Sequence, residues 1–196
     1  MNVAAKPASA GFFARFDNRS PVAVMYSSAT AREMESEMKQ RMNYAQAAPG
    51  VWKAMRAMQD YVDSTGLEPL LLELVKIRAS QINGCAYCID MHTKDARMLG
   101  ETEQRLYALS AWRETPFYSE RERAALKWTE ALTLLPQNDV PDELYEEMRQ
   151  HFSEKELADL TLAIITINGW NRLAISFRLV PGSYQPKQRP ASASAS

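Results

Sequence analysis

Four side chains have the types and spacing for thiol chemistry: Glu73, Cys85, Cys88 and His92. Cys85, Cys88 and His92 stand at i, i+3 and i+7, which on a helix places them inside an arc of roughly 60° at about 100° per residue. Cys88 and His92 are then neighbours one turn apart, close enough for the imidazole to take the thiol proton and stabilise the sulfur anion. Asn83-Gly84 breaks the preceding helix, so the cysteines fall at the start of the next one. Unsatisfied amides and the helix dipole favour negative charge there. An ordinary thiol has a pKa of about 8.5, and lowering it to about 7 needs roughly 2 kcal/mol. The dipole typically supplies about 1 kcal/mol or less, which makes His92 the second stabiliser.

Glu73 sits among Leu70, Leu71, Leu72, Leu74, Val75 and Ile77. Burial there favours the neutral acid and raises its pKa toward the range of proton exchange near neutral pH. The plainer alternative is a Glu paired with Lys76, Lys94 or a surface Arg. The Cys-x-x-Cys spacing itself admits several chemistries. Haem attachment needs His directly after the second cysteine, and Ile89 stands there. Thioredoxin-like chemistry belongs to a strand-rich fold. A zinc site would take Cys85, Cys88, His92 and either Glu73 or His151, with no second cysteine pair to complete a familiar cluster. Dithiol redox remains, in which one thiolate attacks an oxidant and its neighbour resolves the sulfenic acid as a disulfide.

The elements that must position these groups are helical. Apolar residues recur at helical spacing through about eight segments, with turn signals at Pro49-Gly50, Ser64 to Gly66, Asn83-Gly84, Gly100, Pro116, Pro136 to Asp139 and Ser153. No alternating strand pattern competes. Ser119 to Glu122 and Ser153 to Glu156 each fit a capping box, so helices should start near 119 and 153. Pro141 followed by acidic residues places another helix start, with Pro in its first turn. The fold class is all-α, a compact helical bundle.

The 196 residues suffice for one domain, and 46% of them are hydrophobic against 24% charged, as in a globular protein with a sizeable core. Lys plus Arg number 23 against 24 acidic residues, which argues against nucleic acid or an anionic membrane as partner. No apolar run reaches the roughly 18 to 20 residues of a membrane span. Phe12 and Phe13 do not make a secretory signal, so a cytoplasmic location is expected. Residues 1–28 read as an N-terminal arm, 29–180 as the helical domain, and 181–196 as a Pro-rich and then Ala/Ser low-complexity tail. A disulfide closing four residues restricts the unfolded chain little, which suggests chemistry rather than stapling.

Glu73, eleven intervening residues, Cys85-Ala-Tyr-Cys88, three residues and His92 together resemble the alkylhydroperoxidase D family within the carboxymuconolactone decarboxylase superfamily. The likeness extends from about Arg41 to Phe177 and includes RASQINGCAYCIDMH, the segment from Arg121 to Trp128, and ITINGWNRLAISFR. The resemblance implies an all-α fold that oligomerises through its helices, as a trimer or hexamer, and a cofactor-free peroxidase cycle on an alkyl hydroperoxide. Cys88 would be oxidised and Cys85 would resolve it, with Glu73 and His92 as the proton relay. An external dithiol or lipoyl-type donor would return the electrons. A charged Glu73 directly against the sulfur would raise the thiol pKa, so its useful place is behind His92 or a water. One position departs from the pattern: Tyr87 stands where the best-known peroxidases carry a further His. A phenol is a poor base near pH 7, which bears on relay efficiency and peroxidase rate.

Two other readings are compatible with the same residues. A decarboxylase or lactonase of the same superfamily would not need the cysteine pair, and a redox-sensing stress protein would use the disulfide without turnover. Asn168 to Arg172 read mainly as packing, with a supporting role near the active helix as the alternative. Met91 and Met98 read as core fillers. His151 reads as a surface or capping residue.

Overall fold

The helix that carries Glu73 is apolar on nearly every face, and such a helix is stable only when other elements surround it. The computed structural model describes residues 39–186. Among them are α1 (Tyr44–Ala47), α2 (Pro49–Asp63), α3 (Pro69–Asn83), α4 (Ala86–Met98) and α5 (Glu103–Ala108). A 3-10 segment (Leu109–Glu114) follows, then α6 (Glu120–Thr133), α7 (Asp142–His151) and α8 (Glu154–Phe177). No strand occurs among the described residues, and the all-α class expected from the periodicity is the one adopted. None of their helices is long and apolar enough to cross a membrane.

The central α3 packs against α4, α6 and α8. Leu74, Val75 and Ile77 have no exposed surface, and each such side chain contributes about 1.5–3 kcal/mol through burial. One apolar cluster joins α3, α6, α7 and α8 through Val75, Trp128, Met148, Phe152, Leu160 and Ile164. A second joins α3 to α4, α5, the 3-10 segment and α6 through Leu74, Ile77, Ala96, Leu106, Leu109 and Leu126. The third, at the C-terminal end of α3, contains the two cysteines with Ala79, Ile167 and Ala174.

Helix ends follow their local chemistry. Ser119 and Ser153 each form a capping box, with Glu122 and Glu156 bonding back to the cap amides. Pro141 is the N-cap of α7 rather than part of its first turn, which begins at Asp142. Arg121 lies 4.0 Å from the Phe152 ring centroid and pairs with Glu68 at 2.9 Å and Glu156 at 2.7 Å. It thereby ties α6 to the entry of α3 and to the cap of α8.

The arm expected over 1–28 lies outside the described residues. Of the tail expected over 181–196, residues 181–186 are described, and they bond to α4 through Gly182 and Tyr184.

Candidate active site

The cysteines are placed by the way α3 stops. Gly84 adopts φ +70°, a conformation that costs little only without a Cβ, and it caps α3 in the left-handed region. The chain turns there, and the Cys85 amide donates to the Ser80 carbonyl at 2.9 Å. Cys85 becomes the N-cap of α4, and its Sγ accepts the Cys88 amide N–H at 3.3 Å. Cys85 and Cys88 are joined as a disulfide with Cα atoms 5.4 Å apart. Both are almost fully buried.

An asparagine network holds this turn. Asn83 Nδ2 donates to Oδ1 of Asn168 and of Asn171, each at 2.9 Å, and Asn171 Nδ2 donates to Ser80 Oγ at 3.0 Å. Asn168 also donates to Thr133 Oγ1 at 3.1 Å. The Asn168 to Arg172 segment thus has the packing role expected of it, and it supports the turn that presents Cys85. A Cβ at Gly169 of α8 would stand 2.9 Å from the Met55 methyl, the flexible end of an α2 side chain. Trp170 packs against the cysteine cluster and donates to Gln59 at 3.2 Å.

His92 is buried, and its Nδ1 lies 2.8 Å from Glu73 Oε2. A carboxylate on Nδ1 keeps the proton on that nitrogen and leaves Nε2 as the basic one. Glu73 therefore stands behind His92, the placement in which its charge orients the imidazole. Its other oxygen, Oε1, accepts from Lys76 Nζ at 2.9 Å. Burial pushes the Glu73 carboxyl up, but the charges and hydrogen bonds of His92 and Lys76 outweigh it and bring the pKa down to about 2. The raised pKa expected from its leucine neighbours is thus overturned, and the pairing with Lys76 is present. Glu73 holds His92 in place as an ion rather than exchanging protons near pH 7.

Two further residues complete the group. The reactive atoms of Glu73, His92 and Asp95 all lie within 4.8 Å of one another. Asp95 Oδ1 accepts the Tyr184 hydroxyl at 2.8 Å, which brings residue 184 to the site. Burial, and then the charge of Glu73, hold the Asp95 carboxyl above its ordinary range despite that bond. Burial and the Asp95 carboxylate likewise raise the Tyr184 phenol. Asp95 was signalled only by its i+3 spacing from His92, and Tyr184 by nothing in its Pro-rich context.

These donors suit protons better than a metal ion. Both Glu73 oxygens face N–H groups, one of them an ammonium, and an Asp95 oxygen faces a phenol. A divalent cation here would have to displace that ammonium from Glu73. The cysteines of the alternative zinc set are bonded to each other, and its further candidate, His151, ends α7, which packs on α6 and α8.

Tyr87 and Leu179 pack against the cysteine cluster and also line an open cleft of about 340 Å³. Tyr44, Gln40, Asn43 and Ser183 line it too, and no lining residue is charged.

The carboxymuconolactone decarboxylase family model matches residues 49–131. The chain is 51% identical over 139 residues to the uncharacterized protein YdfG of Bacillus subtilis, covering 71% of this chain and 95% of that protein. It is similar to the crystal structure of an Agrobacterium tumefaciens protein of unknown function, described as a candidate antioxidant defence protein AhpD. That likeness has a TM-score of 0.72 and 46% identity, over 74% of this chain and all of that one. A peroxidase-related protein of Ralstonia eutropha, described as an alkylhydroperoxidase AhpD core, matches with a TM-score of 0.64 over 79% of this chain and 85% of its own. At 19% identity the last likeness speaks for the fold alone. This chain belongs to the carboxymuconolactone decarboxylase family, among its alkylhydroperoxidase D-like members.

Proposed function

We propose that the chain is a thiol peroxidase that reduces alkyl hydroperoxides through Cys85 and Cys88. The observation that carries the reading is their pairing at the start of α4, with a buried His92 on the same helix anchored by Glu73 at 2.8 Å. In the cycle, His92 accepts the Cys88 proton and the thiolate attacks the distal peroxide oxygen. The O–O bond breaks, and the leaving alkoxide takes the proton and departs as an alcohol. Cys88 is left as a sulfenic acid. The Cys85 thiol then attacks the Cys88 sulfur, water leaves, and the disulfide forms. An external dithiol or lipoyl-type donor supplies two electrons to regenerate both thiols. The uncharged cleft beside Tyr87 supplies an approach for a neutral organic peroxide. Homo-oligomeric assembly and a cytoplasmic location, where dithiol reductants are available, belong to the same reading.

The test is steady-state consumption of cumene hydroperoxide with dithiothreitol as donor. Multiple turnovers are expected, and Cys88→Ser should abolish them. Oxidation that stops after one equivalent would instead identify a sensor, and a decarboxylase activity surviving Cys85→Ser with Cys88→Ser would overturn the proposal.

A further inference from the structure

Cys85 and Cys88 are 1% and 2% exposed. Thiol–disulfide exchange requires an incoming thiolate to reach one of the two sulfurs, and that little surface does not admit it. Something must move. Of the apolar residues packed around the pair, Ala79, Ile167, Ala174, Tyr87 and Trp170 all belong to α3, α4 or α8. Among the described residues, Leu179 alone in this cluster lies outside a helix, apart from Cys85 itself.

Leu179 opens a short strap that crosses back over α4. Arg178 takes the left-handed conformation that ends α8, and the Leu179 amide returns to the Ala174 carbonyl at 2.9 Å. Beyond it, Gly182 N–H donates to Asp90 Oδ2 at 3.0 Å. Lys94 Nζ donates to the Tyr184 carbonyl at 3.1 Å and to that of Gly182 at 3.4 Å. Tyr184 OH donates to Asp95 Oδ1 at 2.8 Å. Each bond beyond Leu179 joins the strap to a side chain of α4, and Lys94 and Asp90 are partly solvated. Lifting the strap therefore breaks these side-chain contacts and the Leu179 backbone bond at the end of α8, and it unwinds no helix.

We infer that residues 179–184 form a latch over the Cys85–Cys88 disulfide, held shut by Tyr184 on Asp95, which must lift before an external dithiol can reduce the pair. With the latch open, one thiolate of the dithiol attacks a cysteine sulfur, the S–S bond breaks, and the displaced cysteine leaves as a thiolate and is protonated. The second thiolate of the reductant then attacks the mixed disulfide, releases the other cysteine and leaves the reductant as its own disulfide. Two electrons pass to the protein. The inference concerns the oxidised state of the proposed cycle, yet it can be examined without any peroxide.

The experiment follows reduction of the full-length oxidised protein by increasing dithiothreitol, with released thiols trapped by alkylation and counted by mass. Reduction of the native protein should be far slower than in guanidinium chloride and should level off at high dithiothreitol, where opening limits the rate. Tyr184→Phe, which removes one hydroxyl, should accelerate reduction about three- to tenfold, the effect of one hydrogen bond. Asp90→Asn should act in the same direction. Ser153→Ala, which loosens a distant cap, should leave the rate unchanged. Native reduction as fast as in denaturant, or variants at Tyr184 and Asp90 that match wild type, would overturn the latch. So would equal acceleration by Ser153→Ala, or two free thiols in the protein after oxidation. A protein that lacks peroxidase turnover but shows the expected reduction pattern would sink the proposed function and leave the latch standing.

Discussion

Glu73 is a buried carboxylate held ionised by Lys76 and His92, and its charge state carries a consequence for acid stability. Its pKa is about 2 in the fold against an ordinary 4.5. A lowered folded pKa contributes stability that is complete above 4.5 and is lost as pH falls toward 2, a total of roughly 3 kcal/mol. Glu73→Gln should therefore cost about 3 kcal/mol at pH 7, because it leaves the Lys76 ammonium buried without its partner. Urea denaturation should show the gap between variant and wild type narrowing by pH 3, and a gap of constant size would contradict the assignment. The second prediction at this scale concerns His92. In the Cys85→Ser background, His92→Ala should slow alkylation of Cys88 by iodoacetamide at pH 7 about tenfold, the effect of roughly one pKa unit. An unchanged rate would remove the imidazole from any role in activating that sulfur.

Among the elements, the turn between α3 and α4 decides where the sulfurs stand. Gly84 at φ +70° has open space around its missing Cβ, so the penalty of Gly84→Ala lies in the backbone rather than in a clash. It should lower stability by about 1 kcal/mol, read from the urea midpoint. Because Cys85 caps α4 directly after this residue, peroxide turnover should fall with it. Ser153 offers a control of similar size at a distance, since Ser153→Ala removes a cap worth about 1 kcal/mol without touching the cysteine turn. Turnover should then stay at the wild-type level. Both capping boxes and the Asn83-Gly84 break were legible in the sequence because each is encoded within four residues. The supporting asparagines were less so, since Asn83 meets Asn168 and Asn171 only where α8 crosses the end of α3.

For the molecule as a whole, α2 is a long helix that buries little of itself among the described residues. Val62 is its one buried residue, while Val51, Trp52 and Tyr61 are exposed, and α8 adds exposed Ile165. Exposed apolar side chains favour association where a second copy can cover them. We expect light scattering to give a trimer or hexamer and Trp52→Glu to shift it toward smaller species. A monomer at every concentration would contradict this. Reductant access is also a property at this scale, because the strap that covers the cysteines comes from beyond the last helix.

Helical periodicity, the capping boxes and the shared face of Cys88 and His92 are carried by residues close in the chain, and the family likeness by motifs spaced along it, and the sequence alone determined them. The ionisation of Glu73 was decided by tertiary structure. Lys76 was visible at i+3, but only the packing of α3 on α4 brings the His92 Nδ1 to the same carboxylate. Tyr184 reaches Asp95 across 89 residues, from a stretch whose composition suggested a low-complexity tail. Periodicity reports which face of a helix is buried. The charge of a buried group, and the access of solvent or thiol to a buried bond, depend on what the rest of the chain lays against it.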